Sequence, residues 1–250
     1  MKKLKFTFKN AAGEELAGLL ELPENPKAFA LLAHCFTCGK DLKGAARIAR
    51  KLTEKAIAVL RFDFTGLGNS EGDFSNTNFS SNISDLLCAV DYPRRQYEAP
   101  SLLIGHSLGG SAILSIAGEV PEAKAIVTIG SPGELTHVKR LFKDDVENIN
   151  QHGAYPVELA GRVFTLKKQM LDNIQEHKIA HKVFAMNKPL LIFHATEDDT
   201  VLIEQAEKIF KAAKHPKSFI SLGKADHLLT HAQDAEYVAD IIISWSECYL

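Results

Sequence analysis

Leu102-Leu-Ile-Gly-His-Ser-Leu-Gly-Gly-Ser-Ala-Ile-Leu-Ser-Ile-Ala-Gly118 is the stretch whose reading decides the rest of the chain. A short apolar run, Leu102–Ile104, fits a buried strand, and Ser107–Gly118 fits an apolar helix. Gly105-His-Ser-Leu-Gly109 at the junction holds the pattern G-x-S-x-G. The bare pattern is weak; a strand before it and a helix after it give it force, because a strand–turn–helix elbow demands both. A serine on so tight a turn sits in a strained backbone conformation, and glycines on either side let strand and helix approach closely. Its hydroxyl projects from the sheet edge, with a helix N-terminus behind it that favours negative charge.

Outward from this unit the same rhythm recurs. Ala28–Ala33, Ala56–Phe62, Ala125–Ile129, Pro189–Phe193 and Ser218–Leu222 read as buried strands. Leu42–Lys55, Asn82–Asp91, Ile203–Lys214 and Asp234–Tyr249 read as helices between or after them. Unbroken apolar strands alternating with helices predict a parallel sheet covered on both faces. Leu4-Lys-Phe-Thr-Phe8 alternates instead, and Leu16–Leu22 follows the turn at Gly13, so the chain opens with antiparallel strands. The fold class is α/β, with a mostly parallel eight-stranded sheet.

One stretch breaks the rhythm. About sixty residues separate Ile129 from Pro189, where a direct crossover needs far fewer. They carry a charged run Lys143-Asp-Asp-Val-Glu147, a hairpin-like Val157–Leu166 around Gly161, and an amphipathic Lys167–Ala180. Insertions of this kind sit over the carboxyl ends of strands, where ligands bind. The expected organisation is a core of residues 1–131 and 188–250, with 132–187 as a small cap.

Composition excludes other classes. The 250 residues are 46% hydrophobic and 24% charged, enough apolar surface to fold. A net charge of -2 gives no electrostatic case for nucleic acid or anionic membranes. Ala28–Ala33, the longest apolar run, is too short to span a bilayer. Lys2 and Lys3 imitate a signal peptide's charged region, but Lys5, Lys9 and Glu14 interrupt any apolar core behind them, so a cytoplasmic location is expected. Four cysteines are too few and scattered for a disulfide framework. Cys35-Phe-Thr-Cys38 reads as a redox dithiol, half a zinc site, or two small packing residues; no second C-x-x-C exists to complete a zinc site.

A hydroxyl needs a base, and the base an orienting acid. Leu190-Leu-Ile-Phe-His-Ala-Thr-Glu-Asp-Asp-Thr-Val201 offers a strand followed by an acidic loop, and Gly223-Lys-Ala-Asp-His227 a histidine after the last strand. Each lies just beyond a strand's carboxyl end, so a parallel sheet brings them to the rim that carries Ser107.

These residues resemble the α/β-hydrolase superfamily over essentially the whole chain. The resemblance is carried by His34-Cys-Phe36, Arg61-Phe-Asp-Phe-Thr-Gly-Leu-Gly-Asn-Ser-Glu-Gly72, the elbow, and the acid and histidine loops. It is similar to the small serine esterases that include the cinnamoyl and feruloyl type. It is closer still to the hydrolase domain that in some bacterial proteins precedes an OsmC-like domain, which His34-Cys-Phe-Thr-Cys38 and Asp63-Phe-Thr-Gly66 fit; no such partner domain is expected in a chain ending at Leu250. The resemblance implies Ser107 as nucleophile, His227 as general base and acid, and Asp198 as orienting acid, with Asp199 and Glu197 as alternatives. It implies an oxyanion hole made by the backbone N–H groups of Leu108 and Phe36. Cys35 and Cys38 then flank the oxyanion loop, which favours packing over redox use.

Other features have plain readings. His106 packs beside the serine, and His34 and His194 bond to loop backbone. His227, His231 and Asp226 imitate metal ligands, but no further ligand is evident. Gly66-Leu-Gly68 fails the dinucleotide pattern at Glu71. Phe36, Phe142 and Phe164 are candidates to line an acyl or aryl pocket. The expected function is cleavage of a small-molecule carboxylic ester, without cofactor or metal. Thioester, peptide or lactone cleavage by the same residues, or a non-catalytic ligand-binding role, are the alternatives. Oligomeric state is left open.

Overall fold

A computed structural model describes residues 1–250. Strands β1 (Lys2–Lys9), β2 (Glu15–Leu22) and β3 (Ala28–Ala33) are followed by helix α1 (Lys43–Glu54), β4 (Ile57–Phe62), α2 (Phe79–Gln96), β5 (Leu102–His106), α3 (Leu108–Ile116) and β6 (Ala125–Ile129). A 3₁₀ segment (Leu135–Asp145), α4 (Val146–His152), β7 (Ala154–Leu159), β8 (Arg162–Lys167), α5 (Lys168–Glu176) and α6 (Ile179–Met186) come next. The chain ends with β9 (Leu190–His194), α7 (Glu204–Ala212), β10 (Lys217–Ser221) and α8 (Ala232–Ser246).

Eight strands form one sheet in the order β1-β2-β4-β3-β5-β6-β9-β10, while β7 and β8 make a separate antiparallel pair. From β4 to β10 all neighbours are parallel; β2 joins β4 antiparallel, and β1 pairs antiparallel with β2. The expected mixed, mostly parallel α/β architecture is therefore present.

The apolar strands are unbroken because both faces are covered. Leu31 and Ala33 of β3 face one apolar cluster, while Ala30 and Leu32 face another. Helices α1 and α8 close the second cluster through Ile48, Leu52, Val238 and Ile242. Helices α2, α3, α6 and α7 close the first through Leu86, Ile113, Val183 and Ile209. Each fully buried Leu or Ile contributes roughly 1.5–3 kcal/mol, so this two-sided burial supplies most of the driving force.

The strand order reverses between β3 and β5: the chain leaves β3 toward β4 on one side and returns to β5 on the other. Such a switch point opens a crevice at the carboxyl ends of the two strands. The loop after β3 and the elbow after β5 both arise there.

Local departures from the sequence expectation have physical causes. Helix α2 begins at Phe79, ahead of Asn82, because Asn78 caps it: its side chain accepts from Ser81 N–H, and Ser81 Oγ accepts from Asn78 N–H. Serine here stands where the familiar capping box has Glu or Gln. The amphipathic stretch at 167–180 divides at His177, which is extended (φ -87°, ψ 124°), into α5 and α6. No helix is long and apolar enough to cross a membrane.

Candidate active site

Strand β5 delivers Ser107 to the rim with φ 53° and ψ -127°, the strained elbow conformation the sequence pattern demands. A β-carbon at Gly105 would lie 2.4 Å from Gly110 Cα, and one at Gly109 would lie 2.3 Å from the carbonyl oxygen of His34. Glycine is thus required for the elbow to close and for α3 to lie against the loop after β3. Ser107 N–H donates to Ile129 O at 2.8 Å, which ties the elbow to β6.

The loop after β10 brings His227 to this hydroxyl, with Nε2 3.0 Å from Ser107 Oγ. Its Nδ1 lies 2.7 Å from Asp198 Oδ2 on the loop after β9. The carboxylate fixes the tautomer: Nδ1–H donates to Asp198, and Nε2 is left to accept from the serine. Asp198 also accepts at Oδ1 from the N–H groups of Thr200 (3.0 Å) and Val201 (2.9 Å). Burial alone would raise its pKa, but the bonds from His227 and Val201, with the charges of His227 and His194, hold it below the ordinary value. Glu197 and Asp199 are exposed and make no bond to His227.

Three buried histidines support the site without sharing its chemistry. His106 Nε2–H donates to the main-chain carbonyl of His227 at 2.7 Å. Burial, reinforced by repulsion from His227, lowers its pKa to about 3, so it stays neutral. His194 Nε2–H donates to Val201 O at 2.7 Å, which cinches the loop that carries Asp198. His34 Nδ1–H donates to Cys35 O at 2.7 Å, and burial lowers the pKa of both His34 and His194.

The loop after β3 faces the serine from the other side. Neither Phe36 N–H nor Leu108 N–H donates to a protein acceptor, and both residues are buried. Two uncommitted amides beside Ser107 can receive negative charge. The Cys35 carbonyl accepts from His34 Nδ1–H and, at 3.2 Å, from Cys38 N–H. Because the peptide unit is planar and trans, anchoring that carbonyl aims the Phe36 N–H the opposite way.

Cys35 and Cys38 are joined in a disulfide, with Cα atoms 5.3 Å apart, which corrects the expectation of two merely packing side chains. Further along, Lys40 N–H and Nζ each donate to Asp63 at 2.6 Å, and the Arg61 guanidinium donates to Lys40 O.

A cavity of about 250 Å³ lies over Ser107 and His227. Phe36, Leu141, Leu159, Ala160 and Leu228 supply its apolar wall, with Thr200 and Glu158 as polar members. The turn between β7 and β8, at Leu159 and Ala160, reaches in from the segment between β6 and β9. Phe142 and Phe164 do not line this cavity: both are buried in the core, Phe164 with its ring 4.9 Å from that of Phe74.

A family model described as "Serine aminopeptidase, S33" matches residues 24–152, half of the chain. The chain belongs to this family of α/β-hydrolases. An esterase domain from a Rhodothermus marinus protein is 44% identical, with a TM-score of 0.81 over 100% of this chain and 99% of that one. Est1E from Butyrivibrio proteoclasticus, solved with ferulic acid, shares the fold with a TM-score of 0.84 at 22% identity, over 98% of each chain. Among curated proteins, bovine mitochondrial palmitoyl-protein thioesterase ABHD10 is 25% identical over 58% of this chain and 48% of its own length. This α/β-hydrolase chain spans about half to two thirds of the length of the curated relatives it matches.

The structure brings Ser107, His227 and Asp198 into one hydrogen-bonded row, with Phe36 and Leu108 beside the serine. Sequence reading anticipated that His34 and His194 bond to loop backbone, and both do, but it missed other supports of this α/β-hydrolase site. Nothing in the sequence signals that His106 grips the His227 carbonyl or that Lys40 is held by Asp63. The bond between Cys35 and Cys38 had a signal, the C-x-x-C spacing.

Proposed function

We propose that this α/β-hydrolase is a serine hydrolase that cleaves small carboxylic esters through an acyl-enzyme. The observation that carries the reading is the row Ser107 Oγ–His227 Nε2 (3.0 Å) and His227 Nδ1–Asp198 Oδ2 (2.7 Å). Ser107 Oγ attacks the ester carbonyl as its proton passes to His227 Nε2. Asp198 holds the imidazole in the accepting tautomer and stabilises the imidazolium that forms. The Phe36 and Leu108 amides receive the oxyanion, a role worth about 10²–10³ in rate for a single donor. His227 then protonates the leaving alcohol, and water enters by the same route in reverse to release the acid.

A cavity of about 250 Å³ falls just under the range of about 300–1,000 Å³ usual for drug-sized ligands. Its apolar wall therefore suits a short acyl chain or a single aromatic ring. The similarity to a protein named as a thioesterase supports a second reading, thioester cleavage at the same serine. The cytoplasm is the location we assign.

Turnover of a p-nitrophenyl ester series, with mass-spectrometric mapping of a fluorophosphonate label, tests the reading. Label on Ser107, and turnover lost in Ser107→Ala, is the result expected. Unchanged turnover in Ser107→Ala overturns it. Matched oxo- and thioesters of one acyl group separate the two substrate classes.

A further inference from the structure

We infer that Cys35 and Cys38 form a thiol–disulfide exchange site that sets the turnover of Ser107 by fixing or releasing the Phe36 amide. The inference rests on the ester-hydrolase reading given above. Three observations carry it.

The first is position. The disulfide brackets Phe36, whose N–H is one of the two uncommitted amides beside Ser107. The Cys35–Phe36 peptide plane has three constraints: the bond from His34, the bond from Cys38 N–H, and the disulfide itself. Two of the three depend on Cys38 staying folded back over Cys35. Reduction removes the covalent one and leaves a 3.2 Å hydrogen bond to hold the turn, with half-buried Thr37, Cys38 and Gly39 free to move away.

The second is access. Cys35 and Cys38 line the same cavity as Ser107 and His227, and Cys38 is the less buried of the pair. A small thiolate that enters the cavity therefore meets Cys38 Sγ. Attack there breaks the Cys35–Cys38 bond, forms a mixed disulfide on Cys38, and releases Cys35 as a thiolate that takes up a proton. A second low-molecular-weight thiol then attacks the external sulfur of the mixed disulfide. It frees Cys38 and leaves as the small-molecule disulfide. The protein gains two electrons and two protons, and two thiols are oxidised.

The third is that the bond is a poor structural staple. It closes a ring across two intervening residues, where a crosslink removes little entropy from the unfolded chain. Cys88 and Cys248 stay free, so it belongs to no wider framework. The Phe36 ring packs in the core near Phe74, at 5.6 Å between ring centres, which keeps the loop docked when the bond opens. What changes is the aim of an amide, and the fold persists.

The test compares one preparation in two states. Protein reduced with dithiothreitol and desalted, and protein re-oxidised with oxidised glutathione, are assayed on p-nitrophenyl butyrate well below the melting temperature of each. Ser107→Ala protein treated identically serves as the blank. Alkylation with peptide mapping reads the state of Cys35 and Cys38 directly. The disulfide form is expected to show kcat about tenfold above the dithiol form with KM within about twofold, since outright loss of an oxyanion donor costs about 10²–10³. Cys35→Ser/Cys38→Ser should sit at the reduced value in both treatments, and Cys88→Ser/Cys248→Ser should keep the full response. Equal kcat in the two states, or a higher one in the dithiol form, overturns the inference while the hydrolase reading stands. Absence of ester turnover in both states overturns that reading and this inference with it.

Discussion

The residue directly before Ser107 holds the loop that carries His227: His106 Nε2–H donates to the His227 carbonyl at 2.7 Å, and the two rings lie 5.1 Å apart. The two ends of the proposed proton-transfer pair are thus tied together through main chain as well as through Ser107. His106→Ala leaves that carbonyl without its donor, at a stability cost of about 1–3 kcal/mol. Because His227 then wanders, kcat should fall about tenfold with little change in KM. Urea unfolding and steady-state kinetics on one preparation check both; an unaltered kcat would show that this grip is structural only.

The loop after β9 makes a sharper prediction. Asp198 accepts from His227 and from two amides, whereas Glu197 and Asp199 point to solvent. Asp198→Asn should lower kcat by about 10³–10⁴, the cost of the wrong imidazole tautomer. Glu197→Gln and Asp199→Asn should stay within about twofold of the parent. A large loss in either of the latter would move the role of orienting acid to that residue.

The contrast between these loops shows what a sequence can reveal. Ser107 and its glycines were legible because the elbow needs particular residue types at fixed spacing, and the sheet because continuous apolar runs require two covered faces. The acid was narrowed to three neighbours and then chosen only through resemblance; what distinguishes Asp198 is the bond from His194 to Val201, which turns the loop so that one carboxylate faces inward. Phe142 and Phe164 misled because an aromatic side chain in an insertion suits a pocket or a core equally well. Packing against Phe74 and the rest of the core decided it. Hydrogen bonds between main chain and side chains distant in sequence leave no periodic trace, so the bond from His106 to the His227 carbonyl and the hold of Asp63 on Lys40 could not be read in advance. The loop-backbone bonds of His34 and His194 were legible.

Stability should fall in mildly acidic solution. His34, His106 and His194 each have a folded-state pKa below 6.5, with burial as the main cause. Below pH 6.5 the unfolded chain binds protons that the folded chain refuses, so their contribution is full above that pH and is lost as pH falls toward the folded values. The slope approaches about 1.4 kcal/mol per pH unit for each residue. Asp198, lowered from 3.8, adds a further loss only below that value. Urea unfolding between pH 7 and 4 should show the decline, and His106→Gln should flatten it. A flat profile in the parent would contradict the neutral burial of these rings.

The inserted hairpin should set acyl length. Leu159 at the end of β7 and Leu141 in the 3₁₀ segment wall the cavity over Ser107. Leu159→Ala or Leu141→Ala should move the best p-nitrophenyl ester to a longer chain, by kcat/KM, at a gain of several-fold for the longer substrate. Ala160→Phe should do the reverse. Substitution of Val163, exposed on β8 and outside the cavity, should leave the profile alone. If the profile ignores Leu159 and Leu141, the insertion does not shape the acyl site.

The far end of the loop after β3 rests on charge. Asp63 is 1% exposed and accepts from Lys40 N–H, Lys40 Nζ and Asn69 N–H. Asp63→Ala takes the close ion-pair partner from the buried Lys40 ammonium, which keeps only its hydrogen bond to Asn69 Oδ1, and strands two main-chain donors at once. Breaking such a pair costs about 3–5 kcal/mol, far more than an exposed ion pair contributes. Lys40→Met removes the other partner and leaves a buried carboxylate that still has two amide donors, so it should cost less. Urea unfolding of the two variants gives the order. In any Asp63→Ala protein that folds, kcat should drop more than KM rises, because Lys40 ends the segment that holds Phe36 in place. Equal stability in both variants would mean that the ion pair, and not the two amides, holds the loop.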